Sequence, residues 1–418
     1  MANYYVSGTG RDSNPGTSEA IAFRTLQKAA DLVKAGDTVY IMNGTYEQPK
    51  YLNTPVLSLK QKNGTPEKPI AFKAYSGHKP LLKSNGNYHT IHILGSSYIL
   101  IEGLTLLGYN DSITLEYAQK EKTNKANTKT NGGGIDITAD GNVHSHHVII
   151  RNNTISKFPA NGIGMKEVDY VTIEGNNVSE CAYYSIWGTQ GITCLNAWNM
   201  DDNTTDYKII IRDNVCHHNY QYIPWFQTPD RVSEGHGIMI DSSDSAGLDG
   251  QAYKGKTLIS NNLCYKNGGA GIEVFKSHKV DVINNTCYQN SNHPDLATVG
   301  EIFMNGAYES TVVNNIMFAR KNAPSYVVNK GSVKGDYNLI YNTNKFDSMT
   351  NPIVANPLFV DVESYNFTIQ EDSGAFVLKS QDYGRRTVTK IEEYTTRVFE
   401  SIGRNPRQRS IDEVTAYL

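Results

Sequence analysis

Two similar segments, GHGIMID at residues 235–241 and GAGIEVF at 269–275, carry side chains able to do acid–base chemistry. Aligned on their glycines, they set Ile238 against Ile272 and Ile240 against Val274, and turn Met239, Asp241, Glu273 and Phe275 the other way. If the segments are neighbouring strands, Glu273 lies beside Met239 and diagonal to Asp241, at about 6–8 Å. Two carboxyl groups so placed suit acid-assisted bond cleavage. At about 5–5.5 Å one protonates a glycosidic oxygen while the other attacks; at about 6.5–9.5 Å the second activates water. The same oxygens, with Asp244 and Asp249 of the following loop, are the hard ligands Ca²⁺ prefers, although their spacing matches no EF-hand. Lys166, Lys276 and His236 are the basic side chains at or beside this face, and each is a candidate proton acceptor.

Carrying the alignment backwards places Asp136 of GGIDI on the same face, Lys166 of GIGMK in the column of Asp241, and Trp187 of SIWG nearby. Arg231 borders the face with His236 and Lys276. Two long loops, about 195–208 and about 220–257, carry Trp198, Tyr222, Trp225 and Phe226. Loops of that length on a rigid scaffold usually serve a site, and aromatic rings with polar rims suit a sugar. Arg231, Trp187, Trp198, Tyr222, Trp225 and Asp136 are therefore the expected substrate contacts. The plainer alternatives are that the lysines are solvated, that the aromatic residues only pack the loops, and that Asp241 only accepts hydrogen bonds from its loop.

The elements that must hold these side chains recur along the chain. RNNTI, EGNNV, IRDNV, ISNNL, VINNT and VVNNI repeat one pattern, with Asn153, Asn177, Asn214, Asn262, Asn285 and Asn315 as the recurring residue, at intervals of 24, 37, 48, 23 and 30. Repeats of this size mean stacked coils, none of which can bury its apolar face alone. Runs such as His147-Val148-Ile149-Ile150 and Lys279-Val280-Asp281-Val282-Ile283 have strand periodicity. An Asn above an Asn at each bend can donate to one neighbour and accept from another. Cys216, Cys264 and Cys287 each follow the ladder Asn by two, which predicts one inward column of packing thiols; an odd total of five cysteines gives no disulfide framework.

The 418 residues carry a formal charge of −3, 19% charged residues and 27 Tyr. That balance lacks the concentrated positive charge of a nucleic-acid binder, and no apolar run is long enough to span a bilayer. The opening MANYYVSGTG has no basic region followed by an apolar core, so no signal peptide is expected in the sequence as given. Residues 23–35 predict an amphipathic helix, with Phe23, Leu26, Ala29, Ala30 and Val33 on one face and Gly36 as its stop. A cap over about 1–45, a β-helix domain to about 385 and a tail at 386–418, outside the helix or mobile, complete the expected organisation.

The opening YYVSGTGRDSNPGT with FRTLQKAADLVKAGDTVYIMNGTY resembles the start of extracellular right-handed parallel β-helix proteins of the pectate-lyase-like superfamily, and GHGIMID with LISNNLCYKNGGAGIEVFKS resembles the middle of bacterial members. The resemblance implies an all-β, single-stranded right-handed parallel β-helix with an N-terminal capping helix, secreted or periplasmic, acting on a polysaccharide or oligosaccharide. It favours a lyase that removes the C5 proton of a uronate and neutralises its carboxylate with Ca²⁺ or a basic side chain. The paired aspartates of the calcium-dependent pectate lyases are not found. A glycoside hydrolase using Asp241 and Glu273, or a non-catalytic carbohydrate-binding β-helix, is the alternative.

Overall fold

The computed structural model describes residues 1–49, 53–244, 251–370, 373 and 375. Its β-branched runs are strands because alternate side chains can be buried on a pleated surface: Val148 and Ile150 are wholly buried while Ile149 between them is 36% exposed. Short strands of this kind do not stand alone, and each finds its partner one coil away. Among the described residues twenty-eight strands form one continuous sheet, and every pair within it is parallel.

Each full coil contributes three strands and so three faces. Gly133–Thr138, Ile163–Lys166, Ile192–Leu195, Ile238–Asp241 and Ile272–His278 stack on the first face. His146–Arg151, Asp169–Glu174, Tyr207–Arg212, Lys256–Ser260 and Val280–Ile283 stack on the second. Thr154–Ser156, Asn177–Ser179, Val215–His217, Leu263–Tyr265 and Thr286–Tyr288 stack on the third. Inward side chains form columns through the core: Ile135, Ile163, Ile192, Ile238, Ile272 and Ile302 are all fully buried. The predicted thiol column is one of these, with Cys216, Cys264 and Cys287 in direct register, buried and unbridged.

The asparagine ladder exists, with one rung moved. Nδ2 of Asn153, Asn176, Asn214, Asn262, Asn285 and Asn315 each donates to Oδ1 of the next Asn at 2.9–3.0 Å, ending on Asn338. Asn177, expected as a rung, instead begins the third-face strand above Thr154. The residue before each rung is left-handed, as at Asn152 and Asn261; in EGNNV that place goes to Gly175 (φ +66°), so the first Asn becomes the rung. A second ladder was not foreseen. Asn219, Asn267 and Asn290, each three residues after a column cysteine, pass hydrogen bonds to the buried Glu301.

At the start, Asn3–Val6 already pairs with Thr38–Ile41, so the first 45 residues are a first coil as well as a cap. The helix covers only Leu26–Leu32, shorter than 23–35, because Phe23 is held in a parallel bridge with Val6 and Val33 is extended. All five predicted apolar residues are nevertheless buried. Gln27 acts as a surrogate strand edge: its side chain accepts from the Ser58 N–H at 2.8 Å and donates to the Ser58 carbonyl at 3.2 Å. The tail at 386–418 and the boundary near 385 lie outside the described residues. No helix among the described residues is long and apolar enough to cross a membrane.

Candidate active site

The first face has two outward columns. One runs Asp136, Gly164, Thr193, Met239, Glu273; the other runs Lys166, Leu195, Asp241, Phe275, Asn305. The diagonal relation of Asp241 to Glu273 is therefore as the alignment required. The connections from the third face to the first, including 218–237, form one rim. Those from the first face to the second, including 196–206, form the other.

Glu273 lies deep, only 4% exposed. Its Oε2 is 2.7 Å from Nε2 of His236, and its Oε1 accepts from Nδ2 of Asn305 at 3.3 Å. His236, expected at the border as a base, is fully buried instead. Its Nδ1 accepts the Ala270 N–H at 2.8 Å, which puts the ring proton on Nε2, toward the carboxylate. The ring fits because residue 269 is glycine: a Cβ there would stand 2.4 Å from Nδ1. Burial lowers the His236 pKa, but the Glu273 carboxylate outweighs it and the net shift is upward. His236 thus orients Glu273 rather than touching a ligand.

Asp241 is partly exposed and accepts from the Ser242 hydroxyl at 2.7 Å. Burial and the nearby Glu273 push its carboxyl up to about 6, while Ser242, His236 and Lys276 pull it down. A third carboxyl group, Glu234, completes the cluster and was not anticipated. It is 9% exposed, receives hydrogen bonds from the Gln190 amide and the Ser233 hydroxyl, and is raised to about 7 by burial and by Glu273 and Asp241. Gln190 also accepts the N–H groups of Gly235 and His236 at 2.9 and 2.7 Å, fixing this turn. The only signal for Glu234 in the sequence was its place in a Gly-bounded turn, SEGHG, just before a first-face strand.

The remaining expected residues scatter. Lys166 shares the column of Asp241 but stands two rungs away, about 10 Å, exposed and 3.4 Å from Glu167. Lys276 holds its ammonium 5.0 Å from the Phe275 ring, beside Asp241. Trp225 borders the cluster: its ring edge and the Glu234 carboxyl both lie 3.4 Å from where a Gly188 Cβ would be. Trp187 packs edge-on against Phe226 at 5.1 Å, within an apolar cluster with Ile186 and Ile223 that seats the loop. Trp198 stacks on His144 at 4.1 Å on the opposite rim, so the aromatic residues do not form one wall. Tyr222 belongs to an outer group with Tyr183 and Tyr220, and Arg231 is exposed on the loop. Asp136 lies four rungs from Glu273, bound to His89.

Of the expected calcium set, Asp249 lies outside the described residues and Glu273 is engaged with His236 and Asn305. No three His, Cys, Asp or Glu among the described residues are arranged to hold a metal.

A coil of three parallel faces with a site on one of them defines a parallel β-helix protein. The chain belongs to the Pel9A-like, right-handed β-helix family, whose model matches residues 4–305. The uncharacterized protein YwoF of Bacillus subtilis (strain 168) is 25% identical over 465 aligned positions, covering 89% of this chain and 91% of that one. Pectate lyase PEL9 of Emericella nidulans is 34% identical over 82 residues, 19% of this chain and 18% of that protein. The crystal structure of pectate lyase Pel9A superposes with a TM-score of 0.54 at 15% identity, covering 90% of each chain.

Proposed function

We propose that the protein cleaves glycosidic bonds of a polysaccharide laid along the first face, with Asp241 and Glu273 as the working pair. The carrying observation is the convergence of three carboxyl groups, Glu234, Asp241 and Glu273, with one histidine committed to Glu273 alone. Hydrolysis is the chemistry this arrangement supports best. Asp241, the most open of the three and raised toward neutrality, gives its proton to the glycosidic oxygen. Glu273, oriented by His236 and Asn305, activates water or attacks the sugar. Trp225 offers a ring beside the cluster for a bound sugar. In this reading the protein works where its polymer is, outside the cytoplasm.

β-Elimination is the second reading, favoured by the family and by the local match to a pectate lyase. Its base would be Lys276, whose ammonium lies over the Phe275 ring beside Asp241, with the protonated Glu234 donating a hydrogen bond to the uronate. Against it, the buried cluster gathers carboxyl groups around the place where an anionic substrate would bind. A screen of neutral and uronate polysaccharides, with and without a chelator, separates the two. Reducing ends without ultraviolet-absorbing unsaturated uronate support hydrolysis, and the unsaturated product supports elimination. Binding with no product from any glycan rejects catalysis.

A further inference from the structure

Toward the N-terminus the column of Glu273 continues through Met239, Thr193 and Gly164 to Asp136 and then His92. Asp136 is four rungs from Glu273, about 19 Å at the spacing of parallel strands. There a second polar group gathers. Asp136 Oδ2 is 2.7 Å from Nδ1 of His89, which turns Nε2 of that ring away from the carboxylate. The His92 ring stacks on His89 at 4.1 Å and 24°, and Tyr88 meets His89 edge-on at 4.7 Å. His92 Nε2 lies 2.9 Å from the Thr138 hydroxyl, and burial together with His89 lowers the His92 pKa to about 4, so its ring is neutral at physiological pH.

The outward His92 and Asp136 need no partner for the fold to stand, yet they are tied here to His89, at the start of the strand, and to Tyr88 just before it. They are within reach of solvent: the His89 and Asp136 side chains are 20% and 14% exposed. Along the other column, between the clusters, Thr138, Leu195 and Asp241 are partly exposed and Lys166 is exposed. Stacked rings that can take the C–H face of a pyranose, beside a carboxylate and imidazole nitrogens that can take its hydroxyls, are the makings of a sugar site.

We propose that Tyr88, His89, His92 and Asp136 form a distal subsite holding a sugar residue of the same chain that is cut at Glu273. The inference rests on the function proposed above and adds to it a preference for length: only an oligomer spanning four rungs gains the second grip. The test uses Glu273→Gln protein, calorimetric titration, and the dimer-to-octamer series of the polymer that the screen identifies. Affinity rises once the oligomer is long enough to reach both clusters. His89→Ala in that background removes the rise, about tenfold on the longest oligomers, equivalent to about 1.4 kcal/mol. The loss is confined to those lengths, and His89→Phe, which keeps a ring, restores most of it. No dependence on length, or a loss in His89→Ala shared by every length, overturns the subsite and leaves the cleavage reading standing. A wild-type protein that cleaves no glycan removes both.

Discussion

Two buried polar clusters lie on neighbouring faces of the same coils, and they are built on opposite rules. At the corner between the first and second faces, Asp169 is fully buried and fully matched. Lys208 Nζ is 2.5 Å away, the Tyr253 hydroxyl donates at 2.8 Å, and the N–H groups of Met200 and Tyr170 donate at 2.9 Å each. Lys208, equally buried, also reaches Asp201 at 3.0 Å. These contacts tie the loop at 196–206 and the return at 251–255 to the coil body. On the first face, by contrast, three carboxyl groups lie together with a single histidine, which pairs with Glu273; burial raises Glu234 and Asp241, as it raises Asp169, but here neighbouring acids add to the rise where the partners of Asp169 oppose it. A charge that serves the fold is neutralised by its surroundings; a group poised for proton transfer is left unbalanced.

The comparison breaks first at Glu273. Glu273→Gln should cut turnover by about a thousandfold, about 4 kcal/mol in the barrier, while the melting temperature stays near that of the wild type. Kinetics unchanged within twofold would remove the residue from the chemistry. Lys208→Met should do the reverse. It leaves Asp169 buried without its cation and costs about 3–5 kcal/mol of stability, read by denaturant unfolding, with the folded fraction retaining its activity. If stability holds, the cluster is not the fastening described above.

Asn262→Ala sits between these extremes. It withdraws the acceptor of two Asn214 donors and should cost about 2–3 kcal/mol; an unaltered unfolding midpoint would contradict the ladder's structural role. The smallest effect belongs to Lys276→Met. Lys276 favours the ionised form of Asp241, so its removal raises that pKa further. As the acid must be protonated, activity falls as pH rises through about 6, and in the variant this alkaline limb should move to higher pH by roughly half a unit. Loss of all activity in Lys276→Met would instead identify the lysine as a base and favour elimination.

Much of the architecture was legible because a solenoid is local. The pairing of Met239 with Glu273 and of Asp241 with Phe275 follows from matching GHGIMID to GAGIEVF, and the structure keeps that register. The ladder misassignment at Asn177 came from reading the second Asn of each pair without asking which residue takes the left-handed turn. The site was less legible. Glu234 and Gln190 join it from turns whose course no periodicity reports, and the aromatic loop residues divide between two rims and an apolar seat.

Strand period, coil length, the thiol column and the placing of residues 241 and 273 on one wall were thus written in the order of residues, since each depends on neighbours one coil away. Whether a histidine beside that wall would meet solvent or be sealed beneath it, and which acids would stand together, was decided only when the loops closed. Burial and the mutual fields of charged groups depend on everything packed around them, and that is a property of the folded whole.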